Sequence, residues 1–337
     1  MFRAPDGQWA ATVSADADLA REILGPNGER VLAIERDTGA NVVSPRDGPL
    51  FQGPADLGVR PAIGEILVRS LDPAAVALAR AKLESLADAA LDGPTLPHTH
   101  FVGFPLCLRD DTVSNAIRAV RAETLAAASP SEHIHASAFV EPGRANIQLC
   151  ALKLCSDERR RAARSATEAA RRAATLAMRT GTEGGAEGGA EGAEERHPPP
   201  LRARVAGVRC ARGDDDADPS DVDVVYFDAR DPDEDPNAKG RLTRVCEAIV
   251  GAYRDAGLLS RRDDAAVRPR CVVMDSRVGG FERGGFDATF DATEIMRRSG
   301  GADCGVAVLD EVHLSKLGEF DVALGGYYRC EASAKLS

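Results

Sequence analysis

The sequence lacks the features by which membrane, secreted and zinc-binding proteins are recognised. No run of 18 apolar residues occurs, and residues 1–10 place Asp6 and Gln8 where a secretion signal needs an apolar segment. The eight cysteines form no Cys-x-x-Cys pair, which indicates neither a zinc site nor a disulfide framework. We therefore expect a soluble intracellular protein in a reducing compartment, with no metal, no cofactor and no membrane partner.

The chain also lacks an excess of positive charge. It has 42 lysines and arginines against 53 aspartates and glutamates, and its formal net charge is −11. This balance disfavours sequence-independent binding to duplex DNA and binding to an acidic membrane. Hydrophobic residues make up 44% of the 337 residues, as in globular proteins, and the length suits two domains. Any nucleic acid must therefore bind at a local site.

Breaks in the pattern divide the sequence. A glycine and two prolines within residues 93–97 stop a long helical pattern, which predicts a domain boundary. Residues 181–200 are rich in glycine, glutamate and proline, so we predict a disordered spacer there. An acidic run at 214–218 precedes the strand pattern of 222–227, and it predicts a loop that leads into that strand.

The part before the first boundary alternates short strands and helices. Apolar spacing, capping residues and helix-stopping glycines predict the order βααββα. The predicted elements are a strand at 9–13, helices at 16–24 and 29–38, strands at 41–43 and 65–69, and a helix at 73–91.

A Gly-x-x-Gly pattern lies between the two short helices. The pattern alone is weak, because it recurs in the glycine-rich spacer, but within a βααββα unit it resembles the KH domains that bind single-stranded nucleic acid. In KH domains the turn lets the backbone approach phosphates, and the next helix presents its N-terminal amides. The resemblance covers residues 8–92 and implies contacts from Gly25, Pro26, Asn27, Gly28 and Arg30.

The charge of this unit predicts weak binding. Residues 1–97 carry 9 basic and 14 acidic residues, so long-range attraction of a polyanion is absent. A KH-shaped module that serves only packing or protein contact remains the alternative.

The sequence beyond residue 96 extends the resemblance to one family. Together with the KH-like unit, it is similar to the activating signal cointegrator complex subunit 1 family, whose second domain is related to two-histidine RNA phosphoesterases and A-kinase anchor proteins. The similar stretches are 97–106, 139–149, 156–158, 222–227, 235–241 and 312–315. The resemblance implies an α+β fold, with an N-terminal KH domain followed over 96–337 by a bilobal two-histidine phosphoesterase-like (2',5'-RNA ligase-like) domain. Its lobes would each hold an antiparallel sheet and face one another across a cleft.

Both catalytic motifs of that family are altered here. Each lobe of such an enzyme supplies one His-x-Thr/Ser, because a phosphodiester needs one imidazole to accept a proton and another to donate one. Asn146 and Gln148 stand in the first motif, and Arg270 and Val272 in the second. An amide transfers no proton near neutral pH and a guanidinium stays charged, so the resemblance implies an inactive enzyme.

The altered residues have two interpretations. Asn146, Gln148 and Arg270 can bind a phosphate, since a guanidinium donates two parallel hydrogen bonds to phosphate oxygens. Alternatively, they are polar replacements at a solvated cleft.

Other residues offer rival chemistry. His135-Ala136-Ser137 and His313-Leu314-Ser315 both match His-x-Ser, although the first falls in a predicted loop and the second in a separate strand. Arginines on the helix predicted at 157–178 suit either RNA phosphates or a solvated helix face. Cys271 has no histidine near it in sequence, which disfavours a thiolate nucleophile.

Three functions follow. The first is an adaptor subunit of a cointegrator-type complex that binds single-stranded RNA or DNA weakly. For this subunit the resemblance implies a nuclear location, a helicase partner, and roles in transcription regulation and alkylation-damage repair. The second is a metal-independent RNA phosphodiesterase using His135 and His313. The third is a protein-interaction scaffold, favoured if the Gly-x-x-Gly turn is buried against the second domain.

Overall fold

The described residues fall into two compact units. The computed structural model describes residues 1–44, 64–109, 111–127, 134, 136–179, 199–212, 215–232, 240–260, 266–276 and 289–336. One unit comprises residues 1–99, 152–163 and 256–264, and the other comprises 100–151, 164–255 and 265–337. The predicted spacer lies outside the described residues except for residues 199 and 200. None of the described helices is long and apolar enough to cross a bilayer.

The first unit holds a four-stranded antiparallel sheet. Its strands are β1 (Phe2–Arg3), β2 (Trp9–Ser14), β3 (Asn41–Val43) and β4 (Glu65–Ser70). Their spatial order is β1-β2-β4-β3, so β4 lies between β2 and β3. The β2–β4 register runs from Trp9 opposite Ser70 to Ser14 opposite Glu65.

Three helices complete this unit, namely α1 (Ala17–Leu24), α2 (Glu29–Thr38) and α3 (Pro73–Asp92). Local signals set their ends. The Asp16 carboxylate accepts a hydrogen bond from the Leu19 amide, Pro73 opens α3, and Gly39 ends α2 with a φ of 70°. The described elements between residues 9 and 92 therefore follow the order βααββα, with bounds close to those predicted. Apolar residues of the helices and the inner sheet face form one core.

The second unit is built on a nine-stranded sheet. Eight strands follow the order β11-β7-β9-β10-β6-β5-β12-β13, and β8 pairs with β7. The strands are β5 (His100–Pro105), β6 (Asn146–Leu152), β7 (Arg202–Arg212), β8 (Asp215–Asp216), β9 (Val224–Arg230), β10 (Arg270–Asp275), β11 (Asp303–Val308), β12 (Glu311–Asp321) and β13 (Tyr327–Lys335). The predicted loop at 214–218 is wrong for Asp215 and Asp216, because they pair with Arg212 and Ala211.

Four helices among the described residues accompany these strands. They are α4 (Thr112–Ala127), α5 (Asp157–Arg179), α6 (Arg241–Asp255) and α7 (Thr293–Ser299). The buried face of α6 includes Leu242, Val245 and Ile249, spaced as expected for an amphipathic helix. The buried Tyr253 hydroxyl of α6 lies 2.8 Å from the Thr167 hydroxyl of α5, so this contact satisfies both polar groups.

Apart from β8, the large sheet consists of two four-stranded halves. One half is β11-β7-β9-β10 and the other is β6-β5-β12-β13. They are joined where Arg270 of β10 stands opposite Gln148 of β6. The sequence predicted a separate sheet in each lobe, facing one another across a cleft. The structure differs, because pairing between β6 and β10 makes the two halves one continuous sheet.

Candidate functional site

The two altered motifs meet at the junction between the sheet halves. Arg270 and Gln148 are directly opposite on antiparallel strands, so their side chains lie on the same face. Asn146 precedes Gln148 by two residues and shares this face, whereas the intervening Ile147 is fully buried on the other side. On β10 the buried Cys271 likewise lies on the face opposite to that of its neighbour Arg270. The structure thus brings Asn146, Gln148 and Arg270 together on one half-buried surface.

Arg270 sits against an aromatic ring. Its guanidinium carbon lies 5.5 Å from the centre of the Tyr226 ring, within the range of a cation–π contact. Asp228 is the β9 residue opposite Arg270, and its carboxylate accepts a hydrogen bond from Arg209 at 3.2 Å. The ring of Tyr226 therefore helps to position the Arg270 guanidinium. This planar group can donate two parallel hydrogen bonds to phosphate oxygens.

Asn146 is held by its own chain. Its Nδ2 donates to the carbonyl oxygen of Arg144 at 3.0 Å. Its Oδ1 is buried and has no hydrogen-bond donor among the described residues. A hydrogen bond from Nδ2 therefore positions the Asn146 side chain, while its Oδ1 accepts none from the described residues.

Sequence reasoning missed Arg144 and Phe320. The Arg144 guanidinium carbon lies 3.5 Å from the centre of the Phe320 ring, and Arg144 Nε donates to the Gly326 carbonyl at 3.4 Å. Phe320 is the penultimate residue of β12 and is far from Arg144 in sequence. No sequence motif indicated this contact.

None of the described histidines lies on β6 or β10, the two central strands of the sheet. His313 lies on β12, which is two strands from β6 and hence about 10 Å away in the plane of the sheet. It is 5% exposed, its Nε2 is 3.8 Å from Glu311 Oε1, and burial lowers its pKa. His135 lies outside the described residues. The predicted rival pair is therefore untested as a pair.

The thiol beside the second motif is unsuited to nucleophilic attack. Cys271 has no exposed surface, and burial raises the pKa of its thiol to about 12. A thiolate is the reactive form of cysteine, so very little is present at neutral pH.

The Gly-x-x-Gly turn is exposed at its two middle residues, whereas Gly25 is buried and Gly28 is partly exposed. Pro26–Gly28 form one 3-10 turn between α1 and α2, and Pro26 and Asn27 are exposed. Positive φ angles at Gly25 and Gly28 (74° and 77°) explain the two glycines, because larger residues rarely adopt them. The scaffold hypothesis, favoured if this turn is buried against the second domain, stays a prediction.

Arg30, the remaining residue predicted to bind RNA, is turned back toward α1. Its side chain covers Gly25, and its guanidinium donates to the Glu22 carbonyl. The Arg30 guanidinium therefore lies close to the turn, but its hydrogen bond to Glu22 holds it against α1.

Most arginines of α5 have local partners. Arg160 and Arg171 bind carboxylates on their own helix, and Arg164 binds Glu331 at 3.2 Å. Arg159 donates to the carbonyls of Lys153, Gly257 and Leu258. These contacts favour a solvated or structural helix face over a phosphate-binding one.

Comparison with known proteins assigns the second unit to a family. The AKAP7 2'5' RNA ligase-like domain matches residues 98–336, which include both central strands. No curated protein matches the chain. The match confirms the phosphoesterase-like part of the sequence prediction, and residues 1–97 lie outside it. The chain therefore belongs to the AKAP7 2'5' RNA ligase-like domain family.

Proposed function

We propose that this protein is a nucleic-acid-binding adaptor whose phosphoesterase-like domain has no catalytic activity. It binds single-stranded RNA or DNA weakly and serves as a subunit of an activating signal cointegrator-type complex. The complex, its helicase partner, the nuclear location, and the roles in transcription and alkylation repair rest on the sequence resemblance.

The observation that carries the proposal is the pair Gln148 and Arg270. They stand opposite each other on the two central strands, with Asn146 on the same face. None of these side chains exchanges a proton near neutral pH, whereas amide and guanidinium groups both donate hydrogen bonds to phosphate oxygens. The site is therefore suited to hold a phosphate without cleaving its ester.

The first unit supports a second contact with nucleic acid. Its βααββα order, the position of β4 between β2 and β3, and the exposure of Pro26 and Asn27 in the Gly-x-x-Gly turn suit a KH domain. The turn leads directly into α2, whose N-terminal amides favour anions. We propose that residues 8–92 are a KH domain and that Gly25–Gly28 contact the backbone of a single strand.

The phosphate site is tested by oligonucleotide binding. Fluorescence anisotropy with a labelled single strand should show weaker binding for Arg270→Ala, by about 10-fold, since a hydrogen bond to a charged group contributes about 1.5–3 kcal/mol. Arg297→Ala is the matched control, because Arg297 is exposed and paired with Glu294. Equal binding by wild type and Arg270→Ala contradicts the proposed site.

The turn is tested in the same assay. Replacing Asn27 by Asp places a carboxylate at the turn while keeping a residue type that tolerates its φ of 52°. We expect binding to weaken, because a carboxylate repels phosphate. Unchanged binding contradicts a KH-type role for the first unit.

The alternative function is a metal-independent RNA phosphodiesterase. Family membership favours it, because the related enzymes use two histidines. His313 is the one described member of the rival pair, and its burial away from the central strands argues against it.

A further inference from the structure

We propose that Arg144 and Phe320 form a stacking platform for an unpaired nucleobase beside the phosphate-binding residues. This inference rests on the proposed function and adds to it the part of the ligand that the second unit recognises.

The stacked pair is accessible. The Arg144 guanidinium carbon lies 3.5 Å from the Phe320 ring centre, the spacing of face-to-face stacking. Phe320 is 43% exposed and Arg144 is half-buried, so part of the pair faces solvent. Exposed aromatic rings and guanidinium planes are the surfaces on which single-stranded bases stack.

Arg144 is also a cation with which no described carboxylate pairs. It makes no ion pair within the described part of the chain, although the protein is acidic. Most other arginines of the second unit are paired with a carboxylate, for example in Arg121–Glu141, Arg164–Glu331, Arg204–Asp303, Arg209–Asp228 and Arg329–Glu319. An uncompensated charge stacked on a ring suits a ligand that is both flat and negatively charged, as a nucleotide is.

The platform is held rigid by its surroundings. The Tyr328 ring lies 5.5 Å from the Phe320 ring, and Phe101 packs edge-on against Tyr328 at 4.9 Å. The hairpin beyond Phe320 is braced by the Asp321 carboxylate, which accepts from the Ala323 amide at 2.8 Å. A preorganised ring loses little entropy when a base stacks on it.

The platform adjoins the candidate phosphate site. Arg144 precedes β6 by two residues, and its carbonyl oxygen accepts the Asn146 side-chain amide. Gln148 is four residues further along, which is about 13 Å of extended chain. A short single strand spans this distance, so one phosphate can lie at Arg270 while a neighbouring base stacks on Arg144 and Phe320.

The experiment compares strands with and without bases. The probes are labelled single strands of about eight nucleotides: oligoadenylate, its deoxy form, and an abasic strand. The full chain carries Pro26→Asp and Asn27→Asp, so that the first unit contributes little. Phe320→Leu removes the aromatic face but keeps apolar bulk, Arg144→Lys keeps the charge but removes the plane, and Val322→Ala is the control, because Val322 is 91% exposed on the same hairpin.

The expected result is specific to the base. Phe320→Leu and Arg144→Lys should weaken oligoadenylate binding by about 5- to 150-fold, the usual range for one stacked base. Abasic binding should be the same for all variants, and Val322→Ala should match the parent. A similar loss for the deoxy strand shows that the platform reads the base rather than the sugar.

Two results overturn the inference, and they are distinguishable. If Arg270→Ala weakens every strand while Phe320→Leu weakens none, the stacking platform is wrong and the proposed function stands. If no strand binds the parent, which carries Pro26→Asp and Asn27→Asp, the stacking platform and the proposed phosphate site at Arg270 are both wrong.

Discussion

At the residue scale, the central strands carry polar groups where proton-transferring groups are required. Asn146 and Arg270 keep hydrogen-bonding capacity at the junction but cannot act as general acid or base near neutral pH. Each missing acid or base costs about 10²–10⁴ in rate. Under the proposed function, loss of both leaves a surface that binds phosphate without cleaving its ester.

His313 gives a prediction of pH dependence. Burial lowers its pKa, against the opposing effect of the Glu311 and Asp310 carboxylates. In the unfolded chain the His313 imidazole binds a proton below about pH 6.5. In the folded chain it binds this proton only at a lower pH. Stability should therefore fall as pH decreases through about 6.5. Urea unfolding at pH 7.5 and 5.5 should show a smaller decrease for His313→Gln than for wild type. Equal decreases contradict a neutral buried His313.

Lys153 gives a prediction of stability. Its buried ammonium donates to the carbonyl oxygens of Leu91 and Gly93, at the C-terminal end of α3. Lys153→Met leaves these carbonyls without their donor and should lower the free energy of unfolding by about 1–3 kcal/mol. The control is Lys82→Met, which removes an exposed pair with Asp37 and should cost at most about 1 kcal/mol. A Lys153→Met variant as stable as this control contradicts the assigned role.

At the element scale, close packing of β5 against β6 fixes the position of the first altered motif. A Cβ atom on Gly103 of β5 would lie 2.5 Å from the Ile147 carbonyl oxygen. Gly103→Ala must therefore displace backbone next to Asn146 and Gln148. We expect a loss of about 1–3 kcal/mol in the free energy of unfolding.

The control for Gly103 is Gly251, which lies within α6 with open space around it. Gly251→Ala should raise the free energy of unfolding by about 0.5–1 kcal/mol, because alanine favours helix. Chemical denaturation measures both variants. Equal effects at the two sites contradict the strand-packing account.

Elements with local signals were predictable from sequence, and contacts between distant residues were not. Asp16, Gly39 and Pro73 mark helix ends through their own capping chemistry, so the βααββα order followed from the sequence. The altered motifs were placed by resemblance. Their pairing within one sheet, and the stack of Arg144 on Phe320, depend on long-range packing that no local pattern encodes.

At the scale of the whole molecule, the acidic charge limits how the proposed nucleic-acid ligand can bind. With a net charge of −11, the proposed binding relies on a few local cations such as Arg270 and Arg144. Neutralising two or three phosphates gives a slope of about −1.4 to −2.1 in a plot of log K against log salt. Anisotropy titrations between 50 and 200 mM salt measure this slope. A slope steeper than about −5 would show an extended basic surface instead.

The central claim is binding without cleavage. The most direct measurement is the turnover of a short RNA with a 2',3'-cyclic phosphate, by wild type and by His135→Ala, His313→Gln and Arg270→Ala. We predict that no variant exceeds the uncatalysed rate, while wild type still binds the oligonucleotide. Turnover by wild type that is lost in His135→Ala or His313→Gln would contradict the account and establish an RNA-processing enzyme.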